Sequence, residues 1–232
     1  MSNWAYTHGL HDLGNSVYAY LQPNGSWGWS NAGIIVDGET SLLVDTLYDL
    51  TLTGEMLATM RRSLPAAARI DMLVNTHANG DHCYGNQLVE DAHIIASTRT
   101  AEEMLEVPPA SMAALKRQAS QLGTLGAFFG RTFAPFDFEN ITPVLPNQTF
   151  DGQLDLRVGT KEVRLLEVGP AHTRGDTLVY VPGDKTIFTG DILFIEAHPV
   201  MCLYKENIAG ENSLIAWNVD QRIAARMGWA NF

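Results

Sequence analysis

Cysteine is nearly absent from this chain, with two in 232 residues. Cys83 and Cys202 cannot build a disulfide framework, and their spacing fits no cysteine-based zinc site. Both read as small buried thiols in a reducing compartment, which points to the cytoplasm. Positive charge is scarce too: 15 Lys and Arg stand against 26 Asp and Glu, giving a formal net charge of -11 and a pI near 4.9. Nucleic-acid backbones are held by basic patches, so a nucleic-acid partner is excluded. Long apolar runs are missing as well. No segment approaches the ~20 residues of a membrane-spanning helix, so no membrane partner is expected. The start, Met1 to Tyr6, lacks the basic segment and apolar core of a secretory signal.

What is present is an ordinary globular composition, 46% hydrophobic and 18% charged, in a chain long enough for one well-buried domain. Val17 to Leu21 alternates as a strand. Gly33 to Val36 and Ser41 to Asp45 flank the turn 37–40, a hairpin signal. Leu52, Met56, Leu57, Met60 and Leu64 recur at helical spacing and stop before Pro65. Ile70 to Asn75 reads as a strand, Asp81 to Val89 as a helix and His93 to Ala96 as a strand. Thr100-x-x-Glu103 reads as a capping box opening a further helix. From Pro108 a helix carries Met112, Leu115 and Ala119 on one face. Phe128, Phe129, Phe133, Phe136 and Phe138 follow among Gly and Pro. The helical and aromatic stretch 105–147 therefore reads as an insertion bordering the site. The second half resumes as strands at 154–158, 162–168, 177–181 and 186–189, and Ile215, Val219, Ile223 and Met227 mark a late amphipathic helix.

The densest chemistry lies in His77-Ala78-Asn79-Gly80-Asp81-His82, directly after the apolar run Ile70 to Val74. In an extended segment side chains two apart point the same way, so His77 and Asn79 face one point. Gly80 lets the backbone turn and bring Asp81 and His82 round from the far side. Imidazole and carboxylate at such spacing suit a divalent ion such as zinc.

This run resembles the His-x-His-x-Asp-His signature of the metallo-β-lactamase-fold hydrolases, with Asn79 in place of the middle His. Gly169 to Asp176, which carries His172, is similar to the family's next His motif. Thr186 to Asp191 resembles the strand that ends on its bridging aspartate. The resemblance implies an α+β fold over a single domain, 1–232: a four-layer αββα sandwich of two mixed sheets with helices outside. It also implies two metal sites sharing Asp191, one completed by His77, His172 and the Asn79 carbonyl, the other by Asp81 and His82. One or two Zn2+ ions are expected, and Mn2+ or Fe2+ suits two imidazoles and a carboxylate as well. The implied reaction is attack of metal-activated water on an ester, thioester, amide or lactone carbonyl of a small-molecule or carrier-bound acyl substrate. Where a single ion binds, Asp81 is the candidate catalytic base.

The family's late Gly-His-Gly segment has no counterpart, so the chain reads as C-terminally shortened. An uncovered sheet edge, a homo-oligomer and a weak second metal site are the expected consequences. Two other readings stay open: a polyketide cyclase or thioesterase-like enzyme, and a degenerate member that binds without turnover. β-Lactamase action is disfavoured, because a periplasmic enzyme needs a signal peptide. Trp27 and Trp29 read as packing residues or as anchors for an apolar substrate. His198 reads as a loop residue rather than a replacement ligand, and His8, His11 and His93 as structural or solvent-facing. Asp45 is expected to satisfy loop backbone groups near the site.

Overall fold

Short apolar runs punctuated by Gly, Asn and Pro turns give eleven strands among residues 6–24 and 26–194, the part of the chain that this computed structural model describes. The first sheet runs in the order β1 (Gly9–Gly14), β2 (Val17–Leu21), β3 (Ala32–Asp37), β4 (Thr40–Val44), β5 (Met72–Val74), β6 (His93–Ser97) and β7 (Gln148–Phe150). Its first four strands are antiparallel neighbours and β4 to β7 are parallel, so this sheet is mixed. The second sheet, in the order β11 (Thr186–Phe188), β10 (Thr177–Val181), β9 (Lys161–Glu167) and β8 (Gln153–Val158), is antiparallel throughout its described strands rather than mixed.

Alternation along the strands sorts side chains into layers. Val17, Ile35, Leu42, Val44, Val74 and Ile95 of the first sheet meet Val158, Val163, Leu165, Val179 and Val181 of the second. Burying one such side chain contributes about 1.5–3 kcal/mol. The other face of the first sheet packs Ile34, Leu43, Leu73 and Ile94 against Met56, Leu57 and Met60 of α1 (Leu50–Ser63). The outward face of the second sheet gathers Leu166, Val168 and Leu178 with Ala171 and Ile192. The late helix expected over 215–227 lies outside the described residues, as do Cys202 and His198.

Several boundaries differ from the sequence reading, each for a local reason. The helix expected over 81–89 is one turn, α2 (Gly80–Cys83), followed by a 3-10 segment, Tyr84–Val89. Gly85 passes so close to α1 that a Cβ there would lie 2.1 Å from Thr53 Oγ1. The helix expected to open at Thr100 is α3 (Thr98–Glu103), because the Ser97 hydroxyl accepts the Thr100 N–H and forms the true cap. β1 and β7 have no counterpart in the sequence reading: Leu10 and Leu13 alone give β1 little apolar signal, and β7 is three residues long. Within 105–147 stand α4 (Pro109–Gln118) and α5 (Gly123–Thr132), and the chain after them seats Phe136 and Phe138 against Tyr48 and Tyr84.

Candidate metal centre

Four chain segments converge at one edge of the sandwich: the end of β4, the run after β5, the loop 169–176 and the turn after β11. The two sheets are stitched together there, since the Thr177 N–H donates to the Thr76 carbonyl at 2.8 Å. Asp45 ends β4 with φ at 63°, a left-handed conformation that Asp tolerates better than most residues. Its buried carboxylate accepts the Thr76 N–H at 2.7 Å, the Thr76 hydroxyl at 2.7 Å and pairs with His82 Nδ1 at 2.9 Å.

These bonds set the proton positions on two imidazoles. The Thr76 hydroxyl donates to Asp45, so its lone pair is left for the His77 Nδ1–H, 3.0 Å away. His82 likewise gives its Nδ1–H to Asp45. Both rings therefore turn Nε2 inward and bury it, His77 Nε2 without a hydrogen-bond partner and His82 Nε2 against carboxylates. The rings lie 4.2 Å apart between centroids. A buried acceptor left orphaned, as His77 Nε2 is, is costly unless something fills the space. His82 is held further by its carbonyl, which accepts the Asn75 side-chain N–H at 2.9 Å and the Thr46 N–H at 3.0 Å.

Asp191 closes the arrangement. Its Oδ1 is 3.1 Å from His82 Nε2 and its Oδ2 is 3.8 Å from His172 Nε2, so each oxygen faces a different imidazole. Gly190 before it has φ at 52°, and a Cβ there would sit 2.7 Å from Thr76 Oγ1. Only glycine meets both conditions. Ligand atoms of His77, His82 and Asp191 all lie within 4.8 Å of one another. The expected arrangement has His77 and His82 in two sites that share Asp191, and both rings stand around that carboxylate.

His172 stands at the far side, its ring 5.0 Å from that of His77. Its loop is pinned from several directions: Ser97 and Thr100 hydroxyls donate to the Gly175 carbonyl at 2.8 and 2.9 Å, and Arg174 pairs with Glu103 and Glu106 of the α3 region. Buried Asp176 accepts the Thr173 N–H and hydroxyl. Burial pushes its carboxyl up to about 6 against the pull of those bonds. Asn79 brings its amide nitrogen to 3.0 Å from His172 Nε2. The carbonyl oxygen was the expected donor, yet the nitrogen, which has no lone pair to give, takes the place nearest His172. Gly80 is needed for space rather than for a turn, because a Cβ there would lie 2.5 Å from the Tyr84 ring and 2.8 Å from Tyr48. Asp81, on α2, has an oxygen 3.8 Å from His82 Nε2.

The electrostatics favour a cation. Burial acts to neutralise His82, but Asp191, Asp45 and Asp81 outweigh it and hold the imidazole well above its usual range. His77 goes the other way, lowered by burial and by neighbouring His82. Burial works to raise Asp191, and the facing imidazoles of His82, His77 and His172 win and keep it ionised. Asp81 is raised, first by burial. A field that draws a proton onto His82 draws a metal cation equally well, and the donors are the nitrogen and oxygen types that bind divalent ions. The residues present fit such an ion.

Sequence reasoning missed how much Asp45 and Thr76 do. The only signal was an Asp ending a strand beside a Thr preceding His77, which is common in loops. Neither bore on backbone groups alone: Asp45 orients a ring as well.

Residues 25–207 match the family model of the metallo-beta-lactamase superfamily, and the chain belongs to that superfamily. Its members are mostly metallo-hydrolases that bind divalent metals, commonly zinc. Solved structures agree on the fold. A metallo-beta-lactamase from Pontibacter korlensis is 18% identical with a TM-score of 0.66, over 96% of this chain and 87% of that one. The stereoselective inverting sec-alkylsulfatase Pisa1 from Pseudomonas sp. is 19% identical with a TM-score of 0.56, over 76% of this chain and 30% of that one. A double mutant of the sec-alkyl sulfatase PisA1 gives a TM-score of 0.61 at 19% identity, over 80% and 31%. A search of curated proteins finds no match. Among the described residues no helix is long and apolar enough to cross a membrane.

Two substitutions test the centre. Asp45→Asn, which cannot accept from His82 Nδ1 and both Thr76 donors as the carboxylate does, is expected to weaken zinc binding about 10–100-fold in competition with a chelator. Asn79→His adds an imidazole opposite His172 and is expected to strengthen zinc binding at least ~tenfold, about 1.4 kcal/mol. Unchanged affinity in the second variant would show that position 79 faces away from the ion.

Proposed function

We propose that this protein is a metal-dependent hydrolase holding one or two Zn2+ ions, or Mn2+ or Fe2+, through His77, His82, His172, Asp81 and Asp191, with Asn79 beside them. The proposed substrate is a small molecule or carrier-bound acyl group with an ester, thioester, amide or lactone carbonyl. One observation carries the reading: two buried imidazole Nε2 atoms and the Asp191 carboxylate converge within 4.8 Å, and His77 Nε2 has no hydrogen-bond partner there. A divalent ion held there polarises a carbonyl oxygen and lowers the pKa of water from about 15.7 to about 7.

The chain's own groups have distinct tasks. Asp45 and Thr76 fix the Nδ1 protons of His82 and His77, so both rings present lone pairs inward without reorganisation. Asp191, ionised and one-quarter exposed along its side chain, faces both the buried rings and solvent. Where a single ion binds and leaves it uncoordinated, Asp81 is the proposed proton acceptor: burial raises its carboxyl above the usual carboxylate range, and it stands 3.8 Å from His82 Nε2. A reducing compartment suits Cys83, whose buried Sγ lies 3.5 Å from the Ala78 carbonyl and whose thiol burial pushes up, away from reactivity.

Chelator-stripped protein is expected to lose turnover of p-nitrophenyl esters and thioesters and to regain it with stoichiometric zinc. Asp81→Asn is expected to lower kcat about 10²–10⁴-fold while zinc remains bound. Turnover that ignores chelation would refute the reading. Full metal loading without turnover on any carbonyl substrate would favour the non-catalytic member instead.

A further inference from the structure

Resting on that hydrolase reading, we propose that Tyr48 is a further catalytic residue, whose hydroxyl donates a hydrogen bond to the substrate oxygen that becomes negative when the acyl carbon is attacked. The backbone leading to Tyr48 is bonded directly to the ligand-bearing turn. Asp45 pairs with His82 Nδ1 at 2.9 Å, the Thr46 N–H donates to the His82 carbonyl at 3.0 Å, and the Gly85 N–H donates to the Leu47 carbonyl at 3.1 Å. Segment 45–48 therefore runs alongside 82–85, and these bonds bring the Tyr48 ring against Gly80, the residue between Asn79 and Asp81.

Two glycines fix where the hydroxyl points. A Cβ on Gly80 would lie 2.8 Å from Tyr48 Cε2, and a Cβ on Gly28 would lie 2.6 Å from both Cδ1 and Cε1. Cε1 and Cε2 flank the carbon that carries the hydroxyl, so the hydroxyl end of the ring is held between loop 22–30 and the ligand run 77–82. The Ser30 hydroxyl donates to the Asp81 carbonyl and fastens that loop to the same turn. Burial first, and the Asp81 charge second, keep the phenol protonated and able to donate. Of the charges around it Asp81 acts most strongly, as a hydroxyl beside the ligand run requires.

What this hydroxyl lacks is a partner within the chain. Three tyrosines are buried among the described residues, Tyr20, Tyr48 and Tyr84. The Tyr20 hydroxyl stands 3.4 Å from His8 Nε2, and the Tyr84 hydroxyl donates to the Val107 carbonyl at 2.8 Å. Tyr48 makes no hydrogen bond among the described residues. Buried phenols normally find one, because a polar group taken out of water without a partner costs stability. The contacts of Tyr48 with Tyr84, Phe133, Phe136 and Phe138 are ring packing, which phenylalanine would make equally well without that cost. Packing alone therefore does not account for tyrosine here. A donor fixed in place and unused by the fold is already oriented for an acceptor that the substrate brings.

The test joins turnover of p-nitrophenyl esters to calorimetric titration of the zinc-loaded full chain with methylphosphonate, a tetrahedral anion, and acetate, a planar one. Tyr48→Phe keeps the ring and removes only the donor. It is expected to lower kcat about 10²–10³-fold, with KM within about threefold and zinc content unchanged. Methylphosphonate affinity is expected to fall at least about tenfold while acetate affinity stays within about threefold, since the donor meets the transition-state geometry rather than the planar one. Unchanged kcat and methylphosphonate affinity in Tyr48→Phe overturn the proposal and leave the hydrolase reading standing. Zinc loss in Tyr48→Phe also overturns it, and makes Tyr48 a positioning residue of the ligand turn. A wild type that binds zinc and hydrolyses no ester refutes the hydrolase reading, and the methylphosphonate comparison then decides the donor by itself. A zinc-loaded wild type that binds no methylphosphonate overturns the donor as well.

Discussion

The Asp45 carboxylate is the constraint on which the centre depends. It is buried, it terminates β4 in a left-handed backbone conformation, and it collects three hydrogen bonds from Thr76 and His82. A buried carboxylate is tolerable only when its acceptor capacity is used, and here that capacity is used to orient candidate ligands. The same three bonds tie the end of β4 to the loop after β5, whose Thr76 carbonyl receives the Thr177 N–H of the second sheet. Register between the sheets and tautomer at the centre are thus one arrangement. Neither can shift without leaving a buried donor or acceptor unpaired.

Around that arrangement the chain places two kinds of surroundings. Polar groups hold the backbone of the ligand-bearing run: Asn75, Thr46 and Asn86 meet one another and the His82 carbonyl. Aromatic groups fill the side toward 105–147, where Tyr48, Tyr84, Phe136 and Phe138 pack under Gly80. The polar side fixes where the imidazoles stand. The aromatic side closes one flank of the ligand-bearing run with packed rings.

Much of this could be read in the sequence because the signals were local. The hairpin of β3 and β4, the stripe of α1 ending before Pro65, and the ligand types in 77–82, 172 and 191 each depend on neighbours within a turn or a strand. The family resemblance found in those motifs agrees with the family match over 25–207. What escaped depends on distant partners. The orientation of the His77 and His82 rings is set through Asp45, 31 positions before Thr76 and 37 before His82. The early end of α2 is set by Thr53 against Gly85, and the start of α3 by the Ser97 hydroxyl, which also reaches the Gly175 carbonyl 78 residues on. The orientation of the Asn79 amide follows from His172, 93 residues away. No spacing rule within 77–82 contains that information.

X-ray absorption at the metal edge of the purified protein tests the central claim most directly. The account requires a first shell of nitrogen and oxygen at about 2.0–2.2 Å, with the outer-shell scattering of at least two imidazoles and no sulfur. A sulfur contribution near ~2.3 Å, or a bound metal without imidazole scattering, would contradict it.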